Sequence, residues 1–213
     1  MFEYLMPLLW MRSHPRTLLA DSLEAAVRAQ QSYGKRRGIP WGISESCYAK
    51  MDEQRNYQYA AFGVPGLALS VARAGFLVVS PYSSCLALMV DPKGAVENLM
   101  TMARKGWQAP YGFYEAADYT GSPGRSWRAP RCELVRSFMA HHQGMSLTAI
   151  CNVLCDYPFQ RWFHANRVVQ ASELILNERP LRAKPIADVQ PRRVQNSDRQ
   201  PAAAQGNQRP SES

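Results

Sequence analysis

The chain has 213 residues, 46% of them hydrophobic, and 25 basic against 17 acidic side chains give it a net charge of +8 and a pI near 9.4. That is enough for one core, or for a large part of a bigger one, while no run reaches the roughly eighteen uninterrupted apolar residues that a bilayer helix requires. The basic residues are scattered, and many lie after Arg179, so a specific nucleic-acid partner is not expected.

Met1 to Trp10 is apolar but carries Glu3 and lacks a basic leader or a small-residue cleavage site, so it does not read as a signal peptide. From Asp21 the series Leu23, Ala26, Val27, Gln30 and Tyr33 has helical spacing. Asp21 or Ser22 is placed to cap it, and Gly34 or Gly38 to end it. Val64 to Ala74 reads as a helix with Pro65 in its first turn, and Pro81 to Met89 as an apolar helix capped by Ser80. Asp91-Pro92 opens another, which stops at Gly106. Further helices are expected within Glu133 to Leu154, over Pro158 to Phe163 and over Val168 to Asn177. Strand signals are poor, Leu77-Val78-Val79 being β-branched but short, so the pattern predicts an all-α chain. After Pro180 there is no periodic apolar face, and the end is expected to be disordered.

Five cysteines, Cys47, Cys85, Cys132, Cys151 and Cys155, form an odd set. Cys151 and Cys155 share a helix face, but no second pair completes a zinc site, so buried thiols in a reducing compartment are expected. No phosphate loop, dinucleotide fingerprint or serine-nucleophile motif occurs. Neither a metal nor another cofactor is predicted.

Two connections are unusually rich in aromatic and acidic residues. One runs from Trp41 through Glu45 and Tyr48 to Tyr59; the other runs from Tyr111 to Tyr119. Sugars present flat C–H faces and hydroxyl edges, so a sugar site needs ring platforms bordered by carboxylates and amides. Trp41, Tyr48, Tyr57, Tyr59, Tyr111, Phe113, Tyr114 and Tyr119 are candidate platforms. Glu45, Asp52, Asn56, Gln58, Glu115 and Asp118 are candidate edge groups. A competing reading makes these rings core residues whose hydroxyls find backbone partners. Glycosidic cleavage uses two carboxyl groups, roughly 5–5.5 Å apart for retention and roughly 6.5–9.5 Å for inversion. Glu45 and Glu115, each central in its cluster, are the candidate catalytic pair. A carboxyl against aromatic surface is disfavoured as an anion, which suits a general acid. Asp118 would face the same way as Glu115 if a helix began there. His141, His142 and Gln143 lie in the last long helix. Adjacent histidines diverge by about 100° on a helix, which disfavours chelation of one ion. A buried structural donor and a hydrogen-bonding role toward substrate or a carboxylate both stay open.

Several motifs in consistent order resemble one family: Met1-Phe2-Glu3-Tyr4-Leu5-Met6-Pro7, Trp41-Gly42-Ile43-Ser44-Glu45-Ser46, Asn56-Tyr57-Gln58-Tyr59, Phe62-Gly63-Val64-Pro65-Gly66-Leu67, Tyr111-Gly112-Phe113-Tyr114-Glu115-Ala116 and Met139-Ala140-His141-His142-Gln143-Gly144-Met145-Ser146. Residues 1–182 thereby resemble the glucoamylase-like domain of bacterial cyclic β-1,2-glucan synthases, which is related to β-1,2-glucanases. The resemblance implies an (α/α)6 barrel, a cleft for β-1,2-glucan, and hydrolysis or ring-closing transglycosylation. The family's acidic residues carry over onto Glu45 and Glu115, and Glu3 also falls within a matched motif. It further implies a domain beginning well before residue 1. The expectation is thus an incomplete barrel over 1–182, whose missing N-terminal helices are a partner, and a disordered basic tail over 183–213. A soluble cytoplasmic fragment of a parent synthase at the bacterial inner membrane fits this reading. A glycan-binding module without chemistry and an inactive remnant are the alternatives.

Overall fold

The computed structural model describes residues 1–68, 75–121 and 130–179. The chain divides into two units, Met1–Pro180 and Leu181–Ser213. The second unit, with the tail expected to be disordered, lies outside the described residues, as does the end of the helix expected over Val64 to Ala74. The part of that segment within reach is a turn at Pro65–Leu67.

Seven helices occur among the described residues: α1 Phe2–Leu5, α2 Leu18–Arg37, α3 Pro81–Ala87, α4 Pro92–Arg104, α5 Ala140–Leu154, α6 Pro158–His164 and α7 Arg167–Ser172. Short 3₁₀ turns follow α1 at Met6–Leu9 and α7 at Glu173–Asn177. None of these helices is long and apolar enough to cross a membrane.

α2 starts before the expected caps. The Thr17 hydroxyl accepts the Ala20 N–H at 3.2 Å, and Asp21 becomes a first-turn acid that favours the positive helix end. Its end is as the glycines suggest, with Gly38 left-handed at φ 67°. α4 opens as Asp91-Pro92 predicts, with Asp91 Oδ1 accepting Gly94 N–H at 3.0 Å. α3 is the centre of the helical layer and packs against α1, α4 and α5. All seven of its residues are buried, which explains an apolar run without a polar stripe. Its serines are satisfied internally: Ser83 Oγ donates to the Gly42 carbonyl at 3.0 Å, and Ser84 Oγ accepts from Asn98 Nδ2 at 2.8 Å.

The all-α expectation needs correction. Among the described residues, seven short strands form three small antiparallel sheets: β1 Ser46–Met51 with β2 Tyr57–Ala60, β3 Val78–Val79 with β6 Ala116–Asp118 and β7 Glu133–Val135, and β4 Gln108–Ala109 with β5 Gly112–Phe113. Five of them have only two or three residues, too short to show alternation, and tertiary pairing overrides the weak local signal. Four of these strands, β1, β2, β5 and β6, come from the two acid-bearing segments. One hydrophobic cluster gathers the sheet residues Cys47, Val78, Val79, Ala117 and Val135 around Trp107 and Tyr119. A second gathers Leu5, Leu8, Leu23, Val27, Leu86 and Ala149 between the helices.

The cysteines are all free, but they are not uniformly buried: Cys47 and Cys85 are, Cys132 and Cys151 are half-buried, and Cys155 is exposed at the end of α5.

Candidate functional site

The segment from Trp41 to Glu45 joins α2 to β1 and is held as if it were a strand. Gln30 of α2, 1% exposed, donates through Nε2 to the Ile43 carbonyl at 2.7 Å and accepts the Ile43 N–H at 2.9 Å. Asn98 of α4 does the same for Trp41, accepting its N–H at 3.3 Å and donating to its carbonyl at 2.8 Å. Two buried amides thus replace missing ladder partners, since backbone groups buried without partners are costly. Gly42 has φ 120°, and a Cβ there would lie 2.3 Å from Ser83 Oγ. Only glycine fits between the clamps. Ser44 Oγ accepts from the Phe2 N–H at 3.0 Å and from Tyr82 Oη–H at 2.8 Å, so Glu45 leaves a segment fixed on every side.

Glu115 arrives from the opposite direction. Its N–H donates to the Ser137 carbonyl at 3.0 Å and its carbonyl accepts from Ser80 Oγ at 2.6 Å, placing it immediately before β6. Glu115 is 2% exposed. Oε1 accepts the Cys47 N–H at 3.2 Å, while His142 Nδ1 stands 2.9 Å from Oε1 and 3.0 Å from Oε2. Both oxygens therefore face donors, the pattern a carboxylate needs in a dry site. His142 is 1% exposed, and its ring stacks on Tyr82 with centroids 3.7 Å apart and planes 9° apart.

The glutamates are joined by a tyrosine. Tyr59 of β2 donates its hydroxyl to Glu45 Oε1 at 2.9 Å, and the Tyr59 hydroxyl oxygen lies 3.4 Å from His142 Nε2. A continuous polar path runs Glu45–Tyr59–His142–Glu115. Burial, then the hydrogen bond and charge of Glu45, push the Tyr59 hydroxyl well above its ordinary value. Burial likewise raises Tyr82, whose hydroxyl also reaches the Glu45 carbonyl at 3.1 Å. The Cys47 thiol is pushed up to about 11 by burial and by the Glu115 charge. Beside this centre is a cavity of about 270 Å³ whose wall includes Tyr82, Phe113, Tyr114, Glu115, His142 and Gln143. Glu45 lies outside that wall and connects to it through Tyr59 and His142.

The remaining candidates separate clearly. Phe113, Tyr114 and Gln143 line the cavity, and Gln143 Nε2 donates to the Phe113 carbonyl at 3.3 Å. His141 is exposed, with its ring 4.1 Å from that of His142 and 6.1 Å from that of Tyr59. Tyr111 is 85% exposed and meets Phe138 edge-on at 6.2 Å. Trp41, Tyr48 and Tyr119 are corrected to core residues, 9%, 6% and 1% exposed. Tyr48 packs edge-on between Phe62 and Phe76, and Tyr119 packs beside Trp107. Tyr57 is half-buried against the same core. Asp118 is not a second acid facing with Glu115, because the segment is strand rather than helix. Its Oδ2 accepts the Ala49 N–H at 3.1 Å and its Oδ1 the Thr120 N–H at 2.8 Å, pinning β1 to β6. Asp52 and Asn56 close the β1–β2 turn, and Gln58 accepts from the Tyr48 hydroxyl at 2.7 Å. Tyr82 and Phe138 escape the sequence reading. Both sit in stretches read as apolar helix, where nothing marks an aromatic as a site residue. Among the described residues no group of three or more potential ligands could hold a metal ion.

Comparison with known proteins identifies the family. The Glycoamylase family, described as "Putative glucoamylase", matches residues 1–167. The chain belongs to this family. Over 186 residues it is 41% identical to the cyclic beta-(1,2)-glucan synthase NdvB of Rhizobium meliloti (strain 1021). That match covers 87% of the chain and 6% of the length of NdvB. Among solved structures it superposes on an endo-beta-1,2-glucanase from Chitinophaga pinensis, complexed with sophorotriose and glucose, with TM-score 0.53 and 17% identity. A "putative glucoamylase" from Bacteroides fragilis NCTC 9343 gives TM-score 0.53 and 19% identity. In both cases 83% of this chain covers 40% of the other, so the chain spans well under half of either structure.

Proposed function

We propose that this chain supplies the paired-carboxylate centre of a domain with an (α/α)6 barrel that cleaves or cyclises β-1,2-glucan. The observation that carries the reading is the path Glu45–Tyr59–His142–Glu115, which joins acids 70 residues apart in sequence at one buried histidine. The likeness to a cyclic beta-(1,2)-glucan synthase and an endo-beta-1,2-glucanase supports the substrate class, a β-1,2-linked glucan. Glu115, under the Cys47 N–H and His142, takes the role of the ionised group that attacks the anomeric carbon or activates its acceptor. Glu45, half-buried and bonded to the Tyr59 hydroxyl, takes the role of the acid that protonates the departing glycosidic oxygen. Loss of that oxygen leaves the glycosyl group for water in hydrolysis, or for a hydroxyl of the glucan's own chain end in ring closure.

The rest of the parent domain would cover apolar residues left on the surface of α4 and α5: Val96, Met100, Leu147 and Leu154, each at least 46% exposed. Exposed apolar area of this kind is what an interface with further helices would bury. The test is therefore made in a complete parent domain. Glu45→Gln and Glu115→Gln are each expected to abolish turnover of linear β-1,2-glucan while leaving the melting transition in place. Full turnover in either variant removes that residue from the mechanism.

A further inference from the structure

We infer that a second cavity, at the far end of the helical layer from the glutamates, binds a phosphate group. Tyr82 and His142 lie near the starts of α3 and α5, whereas this cavity of about 410 Å³ is walled by residues beyond their ends, among them Met89, Asp156 and Tyr157. From His142 to Asp156 the helical rise alone separates the two sites by about 20 Å.

The wall is basic and polar. Arg12, Ser13 and His14 come from the segment that precedes α2, and Arg161 from α6. The Arg12 backbone is anchored, since its N–H donates to Nε2 of buried His164 at 3.0 Å. That histidine is in turn held through Nδ1, 2.5 Å from Glu173 Oε1. The Arg12 guanidinium itself meets no acceptor among the described residues. Arg161 spends one donor on Asp156, with Nη1 at 2.6 Å from Oδ2, and its side chain stays 47% exposed. Asp156 and Tyr157 are both left-handed, at φ 59° and 53°, and the Tyr157 N–H is tied to the Asn152 carbonyl at 2.6 Å. This turn brings both residues to the wall. His14 Nε2 is buried and has no hydrogen-bond partner.

Two guanidinium forks on separate elements set the ligand class. A carboxylate is filled by one fork, whereas a tetrahedral phosphate offers oxygens to donors from several directions. With Asp156 counted, Arg12 and Arg161 give the lining residues one net positive charge, and Ser13 and Tyr157 bring hydroxyls that can act as neutral donors. Free phosphate and the ester of a phosphorylated sugar present the same oxygens, and the test distinguishes them.

Calorimetric titration of the 213-residue chain separates these outcomes. Inorganic phosphate at constant ionic strength, balanced with chloride, is expected to bind saturably at one site. Arg12→Ala should weaken it by about ten- to a hundred-fold, the range of a charge-assisted hydrogen bond. Arg161→Ala, a change at an exposed side chain, carries the test if Arg12→Ala does not melt cooperatively. Arg28→Ala removes the same charge from the exposed face of α2, where Arg28 pairs with Glu24, and should leave binding intact. Glucose 6-phosphate binding more tightly than phosphate supports an ester ligand, and equal binding supports the free ion. Absence of saturable binding to the folded chain overturns the inference, as does equal weakening by Arg28→Ala. None of these outcomes depends on the glutamate pair.

Discussion

Replacing His142 by alanine probes the acid centre directly, because that imidazole is held on three sides. Its ring stacks on Tyr82 at 3.7 Å, its Nδ1 lies 2.9 Å from Glu115 Oε1, and both partners of this pair have side chains 1% exposed. Solvent therefore screens the contact very little. Truncation removes a charge-assisted hydrogen bond worth about 1.5–3 kcal/mol. It also leaves a buried carboxylate with the Cys47 N–H as its one remaining partner among the described residues, and breaking one side of such a buried pair costs about 3–5 kcal/mol. These contributions overlap, so His142→Ala is expected to lower the unfolding free energy by about 3–5 kcal/mol in all. The assay is urea unfolding of the wild type, His142→Ala, Glu115→Gln and the double variant. The double variant should cost less than the two single changes added together, by about 1.5–3 kcal/mol. A coupling below about 0.5 kcal/mol, the additivity expected of independent sites, would show that the two groups do not act on one another and refute the reasoning.

Other consequences are equally open to measurement. Gly42→Ala forces a side chain onto a φ of 120° and to 2.3 Å from Ser83 Oγ, so a loss of about 2–4 kcal/mol is expected in the same unfolding assay; a neutral result would mean the Trp41–Glu45 segment can move aside. Asn98→Ala deletes three buried hydrogen bonds, to Trp41 twice and to Ser84, and leaves their partners unmet. It should cost about 2–4 kcal/mol, and a change within 0.5 kcal/mol of zero would discount the clamp. Burial pushes the Cys85 thiol from 9.0 up to about 11, and burial followed by the Glu115 charge does the same for Cys47. An acid that holds its proton longer in the folded state contributes fully below its unfolded value and loses that contribution as pH rises through its folded one. The urea midpoint should thus fall between pH 9 and 11, less steeply in Cys85→Ala, and a midpoint flat across that window would contradict it. Tyr111, 85% exposed, should tolerate Ala within about 0.5 kcal/mol while weakening β-1,2-glucan binding in a complete domain; unchanged affinity would remove Tyr111 from the glycan surface.

How much of this was legible in the sequence depended on what each residue had to do. α2, α4, α5 and α6 announce themselves because a one-sided apolar stripe or an Asp-Pro start follows from helix geometry alone. The strands do not, since a pair such as Val78–Val79 is defined by its partners Asp118 and Ala117, which lie about 40 positions away. The same distinction runs through the site. Glu45 and Glu115 stand out as acids embedded among rings, but composition alone could not distinguish core rings from ring platforms. Tyr48 and Tyr59 occupy one hairpin and look alike in sequence. Tyr48 is sealed between Phe62 and Phe76, while Tyr59, paired opposite Cys47, turns its hydroxyl toward Glu45.

The amides make the same point from the other side. Gln30 falls in the apolar series of α2, where a polar residue looks like a defect in the stripe. Its position inside that stripe is what lets it reach Ile43 with both ends of its amide, two residues before Glu45. Asn98 of α4 reaches Trp41 by the same means. A buried polar side chain within an apolar face is stable only where it meets partners, and here the partners are the backbone of the segment that carries an acid. The energetic argument thus links the two layers of the molecule. The helices bury their stripes against one another, and the polar exceptions in those stripes fix the loop from which Glu45 projects. Glu115 is fixed separately, through Ser80 at the start of α3 and Ser137 after β7. His142 then closes the gap between two independently anchored segments, so the geometry of the pair is set by the helical core rather than by the mobility of either loop.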